Sequence, residues 1–99
     1  VRALRSAHTA TPIVLVENIV YQQAWYLPQS AKSYREKNDA LRAAYMRLMS
    51  AGVKNLHYIP GDHLLGEDAE ATVDGTHPTD LGFLRMADAI EPVLRRILE

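Results

Sequence analysis

Ninety-nine residues make at most one domain, and a domain of that size buries a smaller share of its surface than a larger one. The composition, 47% hydrophobic and 23% charged with a net charge of −1, is that of an ordinary globular protein, and its scattered Lys and Arg exclude the basic face that a nucleic-acid binder needs. With no cysteine there is no disulfide frame, thiol nucleophile or thiolate metal site, and no apolar run approaches the roughly 18 residues of a membrane span. The chain opens "VRALRSAH", without Met and without a capping residue. Val1 and Leu4, with Ala7 or His8, read as the apolar side of a helix whose start lies upstream. The sequence is therefore expected to be a C-terminal piece of a larger protein, a short natural chain with a processed N-terminus being the alternative. No signal peptide is visible. Zero cysteines fits the cytoplasm, secretion or a bacterial envelope alike.

The segment "PIVLVEN", Pro12 to Asn18, carries the run Ile13, Val14, Leu15 and Val16. It is β-branched-rich and does not alternate, which suits a strand buried on both faces of a parallel sheet. "IVYQQAWYLPQS" follows without a helical period and reads as a loop. From Ala31 to Ala51 the pattern turns helical, with Tyr34, Leu41, Tyr45 and Leu48 on one stripe and Ala44 and Met49 beside it. Asp39 and Arg42 fall at i, i+3 as a surface pair. Gly52 reads as a left-handed cap. "VKNLHYIP" is a second strand, with Leu56, Tyr58 and Ile59 in the core.

"GDHLLGEDAEATVDG" is then a long loop, and the last helix starts near Thr79, an N-cap with Asp80 in the first turn. Leu84, Ile90, Val93, Leu94 and Ile97 supply its apolar face. Pro92 lies inside it; a mid-helix proline costs about 3 kcal/mol, so a kink or restart is expected. The order helix, strand, helix, strand, helix contains a βαβ unit. Two such strands leave both sheet edges and much of both faces uncovered, a second reason to expect more sheet elsewhere.

Ligands of α/β sheets bind beyond the carboxyl ends of the strands, which places the interest on the loop after the second strand and on "VDGTHPTD". A carboxylate that accepts a hydrogen bond from one imidazole nitrogen fixes the tautomer and frees the other nitrogen as a base. Asp74 and His77 have the spacing for this, Gly75 supplies the turn, and Pro78 stiffens the exit. On spacing alone, a plain turn and helix cap is the commoner meaning.

"VDGTHPTDLGFLRMADAI" closely resembles the final sequence block of the SGNH, or GDSL-type, hydrolases. That block is an Asp, two residues, a His, commonly a Pro, then a helix with a small residue and an Ala at set distances; Asp74, His77, Pro78, Gly82 and Ala87 fit it. "TPIVLVENI" and "NLHYIPGDHLLGED" are similar to the strand segments that precede it in carbohydrate-active members. The resemblance implies the C-terminal part of a flavodoxin-like three-layer α/β/α fold with a parallel sheet, spread over residues 1–99. It implies a serine ester hydrolase in which His77 is the base and Asp74 its orienter. The substrate would be a small-molecule ester, with a short acyl group on a carbohydrate preferred over a lipid.

The serine nucleophile and the glycine and asparagine of the oxyanion hole find no holder. Ser6, Ser30, Ser33 and Ser50 are the serines, and none stands in a Gly-Asp-Ser setting. Asn18 lacks the preceding glycine and falls one strand too late. The missing N-terminal half of the same domain is thus the implied partner, and the 99 residues alone are expected to be inactive. A non-catalytic interaction or structural module, with "DGTH" a mere turn, is the rival reading, and a metal-binding domain a third.

Glu17, Asn18 and Trp25 are the candidates for lining a pocket, Glu17 and Asn18 because they end a strand. For them a satisfied carboxylate and a loop-capping amide are equally natural. Trp25, with Tyr21 and Tyr26, could stack on a sugar or acyl group or fill core. His57, Asp62 and His63 lack a ligand spacing, so no metal or other cofactor is assigned; His57 reads as a sheet-face residue, and Asp62 and His63 as a solvated turn. Arg85 could pair with Asp80, Asp88 or Asp74, with a surface role as the default.

Overall fold

The computed structural model describes all residues 1–99 and contains three helices and two strands. They are α1 (Arg2–Ala7), β1 (Ile13–Val16), α2 (Pro28–Ser50), β2 (Leu56–Ile59) and α3 (Asp80–Leu98). The two strands pair in parallel, Ile13 opposite Leu56 and Val16 opposite Ile59. The ladder continues past each end, with Ile13 N–H donating to Asn55 O and Glu17 N–H to Ile59 O. A parallel pair needs a crossover, and α2 is that crossover.

The segment before α2 is irregular, as its lack of period predicts. The helix itself starts three residues earlier than expected, at Pro28 in the first turn, where a proline has no N–H to waste. Gly52 takes the left-handed conformation (φ +83°) and closes the helix. Tyr34, Leu41, Ala44, Tyr45 and Leu48 are half-buried, while Met49 is exposed. Tyr45 packs its ring on Tyr58, 4.9 Å between centroids.

The core lies around β2 and the loop after it. Leu56 and Ile59 are buried as expected, and Leu64, Leu65 and Ala71 of the loop join them. Tyr58 is half-buried. β1 differs from the reading of a strand buried on both faces: Ile13, Val14 and Leu15 are half-buried and Val16 is exposed, because a two-stranded sheet leaves much of both its faces uncovered.

Thr79 caps α3, its hydroxyl accepting from Gly82 N–H at 3.2 Å. Leu84 and Leu94 are exposed rather than buried, and Ile90, Val93 and Ile97 are half-buried. Contrary to the expected restart, α3 runs through Pro92 as one element. Proline removes one i→i−4 bond, and the remaining bonds of a 19-residue helix carry the element across the gap. Gly82 is required for docking: a Cβ there would stand 2.1 Å from Ala71 O.

Candidate active site

The loop between β2 and α3 folds back on itself at Thr72 and Pro78, which form an isolated antiparallel bridge. Val73 N–H donates to His77 O (2.9 Å) and Thr79 N–H to Ala71 O (2.9 Å). Inside this closed loop Gly75 has φ +89°, a left-handed conformation that residues with a Cβ disfavour. The turn it creates lets Asp74 meet three groups. Asp74 Oδ1 accepts from the N–H groups of Thr76 (2.9 Å) and His77 (2.8 Å). Its Oδ2 stands 2.6 Å from His77 Nδ1.

The His77 N–H, then the imidazole and the Thr76 N–H hold the Asp74 carboxyl well below the usual carboxylate range. An ionised acceptor at Oδ2 requires the proton on Nδ1 of the neutral ring, which leaves Nε2 with a free lone pair. The imidazole is 78% exposed, so Nε2 is open to a reacting group.

Two residues far away in sequence brace this loop. Gln22 N–H donates to Gly75 O (2.8 Å), and Gln22 Oε1 accepts from the Thr72 hydroxyl (2.7 Å). That hydroxyl oxygen in turn accepts from Gly75 N–H (2.9 Å). Gln23 Nε2 donates to Thr76 Oγ1 (3.2 Å).

Glu17 and Trp25 have opposite fates. Glu17 is 3% exposed and receives Arg42 (2.5 Å), the Tyr58 hydroxyl and Gly61 N–H (2.9 Å). Burial works to raise its pKa, but these donors together outweigh it and hold the carboxyl below its ordinary range. Arg42 therefore serves Glu17 and not Asp39. Asn18 is held by Asn38, whose side chain accepts from Asn18 N–H (2.8 Å) and donates to Asn18 O (3.0 Å).

Neither Glu17 nor Asn18 lines the cavity of about 350 Å³ that lies beside the braced loop, whereas Trp25 does. Its walls also include Tyr21, Gln22, Arg35, Asp62 and Glu67. Trp25 is 85% exposed and meets Tyr26 edge-on at 4.7 Å, so it does not fill core. Asp74 and His77 do not line this cavity; Gln22 does, and connects it to their loop.

His57 bonds Asn55 (2.9 Å), and Asp62 and His63 are exposed. No three His, Asp or Glu side chains gather in a geometry suited to a metal ion. Arg85 pairs with none of the three expected partners but forks onto Asp68 (2.6 and 2.7 Å) and reaches Leu65 O (2.9 Å). No helix is long and apolar enough to cross a membrane.

Gln22, Gln23, Thr72 and Asn38 were not singled out in the sequence. The polar pair Gln22–Gln23 in an otherwise apolar and aromatic stretch is a sequence signal; Asn38, buried in the fold, stands in the charged run of residues 35–39 and carries none.

A model of the GDSL-like lipase/acylhydrolase family matches residues 1–95. A crystal structure of a protein from Bacteroides ovatus ATCC 8483, assigned as a GDSL-like lipase, superposes with a TM-score of 0.92 at 36% identity. The match covers 98% of this chain and 29% of the other, so the chain spans less than a third of that protein's length. No curated protein matches.

Proposed function

The chain belongs to the GDSL-like lipase/acylhydrolase family, and on that premise we propose that it supplies the base, His77, and the orienting carboxylate, Asp74, of a serine ester hydrolase. The observation that carries the reading is the 2.6 Å contact of Nδ1 with Oδ2, set beside an Oδ1 already fixed by two backbone donors. One oxygen is consumed in holding the loop and the other is aimed at the ring.

The nucleophilic serine and the oxyanion donors belong to a part of the domain N-terminal to these residues. His77 Nε2 takes the proton of that serine as its oxygen attacks the ester carbonyl. The imidazolium, stabilised by Asp74, returns the proton to the departing alkoxide. Water then attacks the acyl-serine by the same exchange, releasing the acid and restoring the serine hydroxyl. Without the serine, covalent catalysis is absent, and the 99 residues alone are inactive.

The substrate is a short acyl ester. The cavity beside the braced loop suits its alcohol part. Trp25 offers an exposed ring face, and Gln22, Arg35, Asp62 and Glu67 offer donors and acceptors of both charge signs. That combination fits a neutral polyhydroxylated alcohol such as a sugar better than a lipid chain.

The rival reading treats the stretch as a turn alone, since the Oδ1 bonds would suffice to close it. His77→Ala in the full-length protein separates the two. We expect kcat on a short acyl ester to fall by about 10³-fold with the melting temperature nearly unchanged. Full activity in that variant would refute the catalytic assignment.

A further inference from the structure

We propose that Gln22 and Gln23 are positioning residues for His77, a proposal that rests on the catalytic reading of Asp74 and His77. They act through the two residues that separate the pair, Gly75 and Thr76. Gly75 is held on both sides of its own backbone by Gln22. Its carbonyl accepts from Gln22 N–H at 2.8 Å. Its N–H reaches Gln22 through the Thr72 hydroxyl, by contacts of 2.9 and 2.7 Å. The three bonds close a ring between the segment after β1 and the loop after β2.

Gln23 occupies the remaining space. Its Oε1 stands 1.9 Å from where a Cβ on Gly75 would be, and its Nε2 donates to Thr76 Oγ1 at 3.2 Å. The turn at Gly75 is therefore shaped from outside as well as by its own φ. The bonds within the loop close the Asp-x-x-His turn, and the two glutamines add the contacts from outside the loop that fix its orientation to the sub-ångström precision proton transfer demands. Tyr21, Gln22, Ala24 and Trp25 line the cavity from the same short segment, so the wall of the cavity and the brace of the base are one piece of chain.

The test uses the full-length protein, with Gln22→Met and Gln23→Met as variants that keep side-chain length and lose the side-chain bonds to Thr72 and Thr76, while the Gln22 backbone N–H stays on Gly75 O. Gln22→Glu is the conservative variant, because its carboxylate still accepts from the Thr72 hydroxyl. The readouts are kcat and KM on a short acyl ester, the pH–rate profile, and the melting temperature, with His77→Ala as the reference.

Positioning predicts a 10- to 100-fold fall in kcat for each Met variant, KM within about twofold, and a displaced acid limb of the pH profile. It predicts recovery of most of kcat in Gln22→Glu. A lowered melting temperature with kcat intact would overturn the inference and make the pair structural. So would a change confined to KM. If His77→Ala is inactive while both Met variants are normal, this inference alone fails. If His77→Ala is itself active, the catalytic reading fails first and the inference falls with it. Should one Met variant not fold, the other carries the same test, because each glutamine reaches the loop by its own bond.

Discussion

Glu17 and Asp74 are two carboxylates near the same end of the sheet, and their surroundings are opposite. The Glu17 side chain is 1% exposed and the Asp74 side chain 52%. Glu17 draws its donors from three separate places: Arg42 on α2, Tyr58 on β2 and the backbone of Gly61. Asp74 draws all of its donors from Thr76 and His77, two and three residues on. Glu17 thus spends both oxygens on tertiary structure. Burial and the neighbouring carboxylate push the Tyr58 hydroxyl up to about 12, so it stays a donor to Glu17 across the working pH range. Asp74 spends one oxygen on its own turn and keeps the other for an imidazole. A buried, saturated carboxylate holds strands and helix together and has nothing left for chemistry. An exposed one fixed by its own backbone costs little to desolvate and still aims a charge.

The largest effect that sharpens this contrast is on turnover. Asp74→Asn in the full-length protein keeps an oxygen for the Thr76 and His77 N–H groups but removes the charge that selects the Nδ1 tautomer. We expect kcat to fall by roughly 10³- to 10⁴-fold, with a melting temperature close to that of the parent. Steady-state kinetics beside thermal unfolding checks both halves.

Glu17→Ala should do the reverse. It strands the Gly61 N–H and the Tyr58 hydroxyl, and each buried donor left unpaired costs about 1–3 kcal/mol. A destabilisation of about 3 kcal/mol in urea unfolding is expected, with kcat per folded molecule within a few-fold. The contrast breaks if Glu17→Ala removes turnover while leaving stability untouched.

The sign of the pH dependence follows from the same site. The Glu17 carboxyl is lowered from its ordinary 4.5. Its stabilising contribution is therefore fully present above that value and is lost as pH falls through the lower, folded-state value. The unfolding midpoint should be flat down to about pH 5 and decline below it. Glu17→Gln should flatten that acid-side decline. A decline as steep in the variant as in the parent would remove Glu17 from the account.

Much of this was legible in the residues, and the exceptions share a cause. The βαβ order, the glycine cap at Gly52 and the Thr79 cap follow from local signals: β-branched runs, a left-handed glycine and a hydroxyl before a helix. Asp74 and His77 are three residues apart, so their meeting is also a local matter. The sequence offers Asp39 to Arg42 because i, i+3 neighbours are visible in a sequence, whereas Glu17, 25 positions away, is not. Gln22 and Gln23 do not reveal their partners for the same reason, since those lie 50 and 53 positions on. Leu84 and Leu94 carry a correct apolar period, but a period names a face and not what covers it. Leu64 and Leu65 show the converse: a loop with no period at all supplies core.

Arg85 offers the smallest and most discriminating prediction, because it stands between the two carboxylate regimes. Its side chain is 28% exposed and that of its partner Asp68 is 50% exposed. The fork of Arg85 onto Asp68 also reaches Leu65 O, and Gly66 (φ +76°) lies so close beneath it that a Cβ there would meet Arg85 Nη1 at 2.9 Å. Arg85 holds the Asp68 carboxyl well below its usual range, yet solvent screens a pair this open, and such pairs contribute little to stability. Arg85→Met keeps much of the packing and removes the fork and the bond to Leu65 O. We expect a small fall in the unfolding midpoint, well short of that for Glu17→Ala, unchanged kcat, and faster amide hydrogen exchange confined to residues 64–70. If it instead costs as much as Glu17→Ala, then burial is not what separates Glu17 from the exposed carboxylates. Reach across the sequence would be the governing variable, because Arg85 and Arg42 both connect elements that are far apart in the chain.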